Sequence, residues 1–221
     1  MDEPFSLRSV RPLSLRKGEK TRESILNDAL ALASRVGLEG LSIGGLANRS
    51  GMSKSGLFAH FGSKEELQRA TLARAEALFQ ERVLRPAMSF PGGVRRLQAM
   101  FDRWLAWLGG CQELPGGCLL ISAASEYDDR PGPIRDTLAA GQRELRGAIA
   151  KSVRQAIELG ELAGDADPWQ FTFDLLGIVL AAYHERRLLD DRRADERARR
   201  AFERLLAWYM PPLRPQRSLT N

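Results

Sequence analysis

From Ile25 to Tyr209 apolar residues return every three or four positions, and no stretch of useful length alternates apolar with polar. That spacing lines one side of an α-helix with apolar groups and leaves a strand no face to bury. An all-α chain is expected, with glycine and proline punctuating about nine helices. The first is expected over Gly18–Val36, with Ile25, Ala29, Leu32, Ala33 and Val36 on its core face and Gly37 as its stop. Two short helices are expected next, about Ile43–Ser50 and Lys54–Phe61, closed by Gly62. Ser63 then opens a long helix with Glu66 three residues on, the pattern of a reciprocal capping box. Pro86 is expected to end it near Leu84.

Further on, Val94, Leu97, Phe101, Trp104 and Leu108 space as one apolar stripe. A short apolar helix is expected within Cys118–Tyr127, followed by a polar turn from Asp128 to Pro133. A long helix over about Ile134–Glu158 buries Ile134, Leu138, Leu145, Ile149, Val153 and Ile157. Asp167-Pro168 starts the next, because aspartate caps and proline suits the first helical position. It is expected to reach about Leu189, and a last amphipathic helix spans about Arg192–Met210.

Other features narrow the class. Two cysteines, Cys111 and Cys118, are too few for a disulfide framework or a metal cluster. The start of the chain is broken by charges and prolines, and the longest apolar run, Leu175–Ala182, is too short to span a bilayer. A cytoplasmic protein is expected. The two histidines, His60 and His184, have no nucleophile-elbow context, and no glycine-rich phosphate motif follows a strand. Neither an enzyme nor a protein with a metal or cofactor is expected. The net charge of +5 suits a polyanionic partner, and suits well-solvated helices equally.

The most informative stretch is Leu41–Phe61, LSIGGLANRSGMSKSGLFAHF. It reads as helix, turn, helix: Ser42 and Ser53 are placed to cap, and Gly51 makes the turn. Leu46, Ala47, Leu57 and Phe61 face inward. Lys54, Ser55, Gly56, Phe58 and His60 are left outward or sideways, a small and polar face suited to a major groove. The first-turn N–H groups behind Ser42, with Gly44 beside them, suit a phosphate, and Lys64 suits a second. These residues, with Ser63-Lys64-Glu65-Glu66-Leu67, resemble the DNA-binding head of the TetR family of bacterial transcription regulators. The resemblance covers about residues 18–80 by motif. This sequence departs from it at Phe58, where tyrosine is usual, and at Gly44 and Gly45, where charged residues are common.

The resemblance implies a basic arm over 1–17, a head over 18–78, an effector-binding and dimerisation body over 79–210, and a tail over 211–221. The arm carries Arg8, Arg11, Arg16 and Lys17, and Arg11, Arg16, Lys17 and Lys20 are candidate phosphate or minor-groove contacts. The implied function is a repressor, dimeric on a palindromic operator and released by a small, largely apolar effector. The implied dimer interface is the helices about 168–189 and 192–210. Phe171 to Tyr183 is apolar around the whole helix, with small Gly177 and Ala181 four apart. Candidate effector contacts are Phe101, Trp104, Leu108, Cys118, Ile121, Phe171 and Tyr183. Two alternatives stand beside this reading: a partner-binding helical protein that keeps the head, and a repressor responsive to thiol chemistry through Cys111 and Cys118.

Overall fold

The computed structural model describes residues 17–211, with side chains from residue 21. Arg8, Arg11 and Arg16 lie outside the described residues, as do the side chains of Lys17 and Lys20. Every regular element among the described residues is helical.

The head is built from α1 (Lys17–Val36), α2 (Ile43–Ser50) and α3 (Lys54–Phe61), with the start of α4 (Lys64–Phe79) closing it. α1 buries Ile25, Leu26, Ala29, Leu30 and Ala33. Val36, expected on that face, is 49% exposed, because the chain leaves the helix there through Gly37 at φ +81°.

α4 does not stop at Leu84. It passes through a π-helical turn, Gln80–Leu84, into α5 (Arg85–Met88). Proline has no N–H and its ring collides with the carbonyl four residues back. The wider turn, in which the Arg85 N–H reaches the Gln80 carbonyl, lets the rod run past Pro86. Counting Lys64–Met88 once, the described residues hold nine helices.

The body adds α6 (Val94–Leu108), α7 (Leu119–Glu126), α8 (Pro133–Glu158), α9 (Pro168–Arg187) and α10 (Ala194–Tyr209). Asp167 caps α9 by accepting the Trp169 N–H at 2.8 Å. Buried side chains from Ile25 to Leu206 make one connected apolar cluster through head and body. Within it Phe101 stacks on Phe202 at 4.2 Å, and Phe79 meets Trp104 and Trp107 edge-on at 5.4 and 5.8 Å. No helix among the described residues is long and apolar enough to cross a membrane.

Candidate DNA-reading head and effector body

The reading unit is held by short-range chemistry. Ser42 accepts the Gly45 N–H at 3.1 Å and Ser53 accepts the Gly56 N–H at 3.1 Å, so both short helices are capped as expected. Gly51 joins them at φ +69°, a conformation that penalises any residue with a Cβ. Leu46 and Leu57 are wholly buried, with Ala47 and Phe61 nearly so, and this pins α3 across α2.

What remains outside on α3 is Lys54, Ser55, Phe58 and Ala59, with Gly56 and His60 half-buried. Ala59 was not among the expected contacts. Its small side chain gives no pattern signal, yet it shares the solvent face with Ser55. Phe58 is 56% exposed, an apolar ring on an otherwise polar face. The Lys54 stem lies alongside Gly44, where a Cβ would stand 3.6 Å from Lys54 Cε. Neither short helix has an acid in its first turn, so their N-terminal N–H groups face solvent without a competing carboxylate.

Lys64, expected to hold a phosphate, instead bonds Glu39 at 2.9 Å. The Ser63 cap is one-sided. Ser63 accepts the Glu66 N–H at 3.0 Å, but the Glu66 carboxylate turns to Arg69 at 2.8 Å, and the Ser63 N–H goes to the Phe61 carbonyl.

In the body all seven expected effector residues belong to or pack against the one apolar cluster. Phe101 stacks on Phe202, and Phe171 meets Tyr209 edge-on at 5.2 Å. Trp104, Leu108 and Cys118 are buried, while Ile121 and Tyr183 are half-buried. Trp107, which the stripe omitted, donates its indole N–H to Cys118 Sγ at 3.2 Å. The Trp104 indole N–H is buried without a partner, a polar group that an incoming acceptor would satisfy. Both thiols are free, and burial pushes both up. Neither is thereby primed as a thiolate. Among the described residues no group of three or more His, Cys, Asp or Glu is placed to hold a metal ion.

The outer faces of α9 and α10 enclose an open apolar groove of about 620 Å³, lined by Phe173, Gly177, Ile178, Ala181, Ala201 and Trp208 among others. Phe173, Leu180 and Trp208 stand 62%, 51% and 84% exposed along these two helices. Phe202 and Tyr209 of α10 turn the other way, onto Phe101 and Phe171.

Residues 25–71 match the family described as bacterial regulatory proteins, tetR family, and residues 93–202 match the tetracyclin repressor-like C-terminal domain. The chain is 28% identical over 155 residues to the HTH-type transcriptional regulator TcmR of Streptomyces glaucescens. That stretch covers 67% of this chain and 66% of TcmR, just under two thirds of its length. Among solved structures, a TetR transcriptional regulator from Chloroflexus aurantiacus superposes with a TM-score of 0.78 at 26% identity, covering 88% of this chain and 96% of that one. AibR, in complex with isovaleryl coenzyme A and operator DNA, superposes with a TM-score of 0.67 at 26% identity, covering 87% and 99%.

Proposed function

We infer the function from the premise that this chain belongs to the TetR family of bacterial transcription regulators: it is a repressor that holds a palindromic operator as a homodimer and leaves it when a small, largely apolar effector binds. Families of this kind regulate transcription rather than catalyse reactions. The observation that carries the reading is the exposed face of α3. Lys54, Ser55, Phe58 and Ala59 protrude from a helix anchored by Leu57 and Phe61. In the groove, Lys54 reaches phosphate or a guanine edge, Ser55 offers a hydroxyl, and Gly56 lets the backbone approach. Ser42, Gly44 and Ser53 bring N–H groups to phosphates, His60 stands at the flank, and Lys64 contributes once it leaves Glu39.

The head is assigned to 18–78 and the body to 79–210. One head reads few base pairs, so two must be joined at a fixed spacing. The open groove of α9 and α10 supports a second copy as the joining partner. AibR was solved in complex with isovaleryl coenzyme A and operator DNA, which supports a small-molecule effector for this chain, and the body is where we place its site. Trp104, Leu108, Cys118, Ile121 and Tyr183 are its best candidates; Phe101 and Phe171 act there as packing.

The test is selection of an operator from random duplex DNA by the purified protein, then titration across salt. Affinity for the selected inverted repeat should fall steeply, with a slope of about −0.9 per neutralised phosphate, and Lys54→Ala should reduce that slope by roughly one. Binding with no salt dependence and no preference for a repeat would favour the partner-binding reading instead.

A further inference from the structure

Head and body meet at a second place besides α4. The Glu126 carboxylate, at the C-terminal end of α7, accepts the Leu38 N–H at 3.2 Å and the Glu39 N–H at 2.9 Å. These are two consecutive backbone donors of the loop between α1 and α2. Gly37 makes the approach possible. It sits at φ +81°, and a Cβ there would overlap the Glu126 carboxylate.

The next body residue, Tyr127, is buried and donates its hydroxyl to Glu39 at 2.8 Å. It accepts from Gln68 at 3.2 Å, and Gln68 also donates to the Leu38 carbonyl at 2.7 Å. Glu39 further holds Lys64, the first residue of α4, and lies 3.6 Å from Arg130. Three segments converge on this carboxylate: the loop before α2, the junction after α3, and the body. Nearby, the Gly116 N–H donates to Ser34 Oγ at 3.0 Å, a second tie between α1 and the body.

The geometry points to Glu126 and Tyr127 as positioning residues for operator binding, clamping Leu38 and Glu39 so that the head presents α3 at one fixed angle. The inference rests on the DNA-binding reading above. A single rod through a junction is a pivot: α4 alone locates the head but does not stop it tilting. The clamp, together with the Gly116–Ser34 bond, supplies attachment beyond α4, and that sets an angle. It also acts directly on the reading unit. Leu38 and Leu41 are wholly buried in the head core, Leu41 bonds back to Leu38, and Ser42 begins α2 immediately after. Loosening Leu38 and Glu39 therefore displaces the start of α2 and, through Lys64, the end of α3. In a dimer, that angle sets the distance between the two reading helices.

The experiment uses the full chain and the duplex carrying the inverted repeat that the wild-type protein selects from a random pool. Glu126→Ala, Glu126→Gln and Tyr127→Phe are compared with wild type on that duplex. They are also compared on two derivatives with one base pair added or removed between the half-sites. Glu126→Ala is expected to lose affinity for the selected spacing by about tenfold. It should also discriminate between the three spacings less sharply than wild type, while its salt slope stays unchanged because the phosphate contacts are the same. Glu126→Gln, which keeps one acceptor, should fall between. Tyr127→Phe preserves the ring and the fold and should show the same blunting if Glu126→Ala fails to fold. Folded variants with wild-type affinity and wild-type spacing preference would overturn the inference and leave the regulator reading standing. A wild-type protein that selects no repeat would sink the regulator reading itself.

Discussion

Truncating Trp208 should weaken the proposed dimer roughly a thousandfold and leave the folded chain intact. The indole stands 84% exposed in the single chain, so it contributes little to internal packing, and a surface change of this kind alters stability by about ±0.5 kcal/mol or less. A large aromatic side chain presents roughly 200 Å², of which roughly 170 Å² is open here. Covered by a second copy, that area is worth about 4 kcal/mol at ~25 cal/mol per Å². Part of it survives in the alanine and in repacking, so about 2 kcal/mol is lost per chain, typical of an interface hot spot. Symmetry doubles the loss to about 4 kcal/mol, which weakens the dimer roughly a thousandfold.

Sedimentation velocity from nanomolar to micromolar protein reads this directly. Wild type should remain dimeric where Trp208→Ala is monomeric, and Phe173→Ala should shift in the same direction. The monomer should keep its helical signal and a sharp thermal transition. Operator affinity should collapse with the dimer, because two linked heads become two independent ones. A Trp208→Ala protein as dimeric as wild type at every concentration would refute the assignment of the α9–α10 groove as the interface. A monomer that has lost its cooperative melt would show instead that the indole is needed inside the chain.

Two further outcomes follow from ionisation and burial. The hydrogen bond from Lys64, followed by that from Tyr127, holds the Glu39 carboxyl down from its ordinary 4.5 to about 2. A carboxyl depressed on folding adds stability that is fully present above the unfolded value and is lost as pH falls through the folded one. Glu39→Gln should therefore flatten the acid side of a stability profile between pH 4.5 and about 2. The effect should be small because this side chain is half exposed; urea midpoints measured against pH for both proteins would read it, and parallel profiles would contradict it. Burial also pushes the Cys118 thiol up, so a maleimide at neutral pH should leave Cys118 of the native protein unlabelled and operator DNA bound, and should label Cys118 once the chain is unfolded. Rapid native labelling accompanied by DNA release would favour thiol regulation.

Local chemistry made most of the head, and the start of α9, legible in the sequence. Ser42, Ser53 and Asp167 cap within three residues of themselves, and Gly51 and Gly62 turn the chain at positive φ. What was illegible depends on partners far along the chain. Glu126 and Tyr127 read as the last residues of a short apolar helix, yet their hydrogen bonds to Leu38 and Glu39 span 88, 87 and 88 positions. Pro86 read as a helix end because no sequence pattern announces a π-helical turn. An amphipathic pattern on α10 does not say which aromatic faces out: Tyr209 turns to Phe171, and its neighbour Trp208 takes the outer face. The face that the α6 stripe presents was not legible either, since one helical face is shared among several neighbours. Phe101 is claimed by α10, and Trp104 and Trp107 by Phe79.

The clamp also limits how the proposed release by an effector can work. Glu126 accepts two backbone N–H groups, Tyr127 bonds Glu39, and Gly116 bonds Ser34. Bonds to charged acceptors contribute roughly 1.5–3 kcal/mol each and neutral ones about 1 kcal/mol, so detaching the head outright would cost about 5 kcal/mol or more. Coupling free energies between sites are typically only about 1–3 kcal/mol. An effector of that strength can strain one or two of these bonds but cannot break the set. Release is therefore expected to be a tilt of an intact head about α4, with the clamp retained in a second arrangement. α7 is only eight residues long and runs from the Cys118–Ile121 region to Glu126, so a shift at its first turn arrives at the clamp with little loss. Backbone amide exchange at Leu38 and Glu39 would then stay slow in operator-bound and effector-bound protein alike. Fast exchange with effector present would mean the head detaches, and the coupling would have to be far larger than typical.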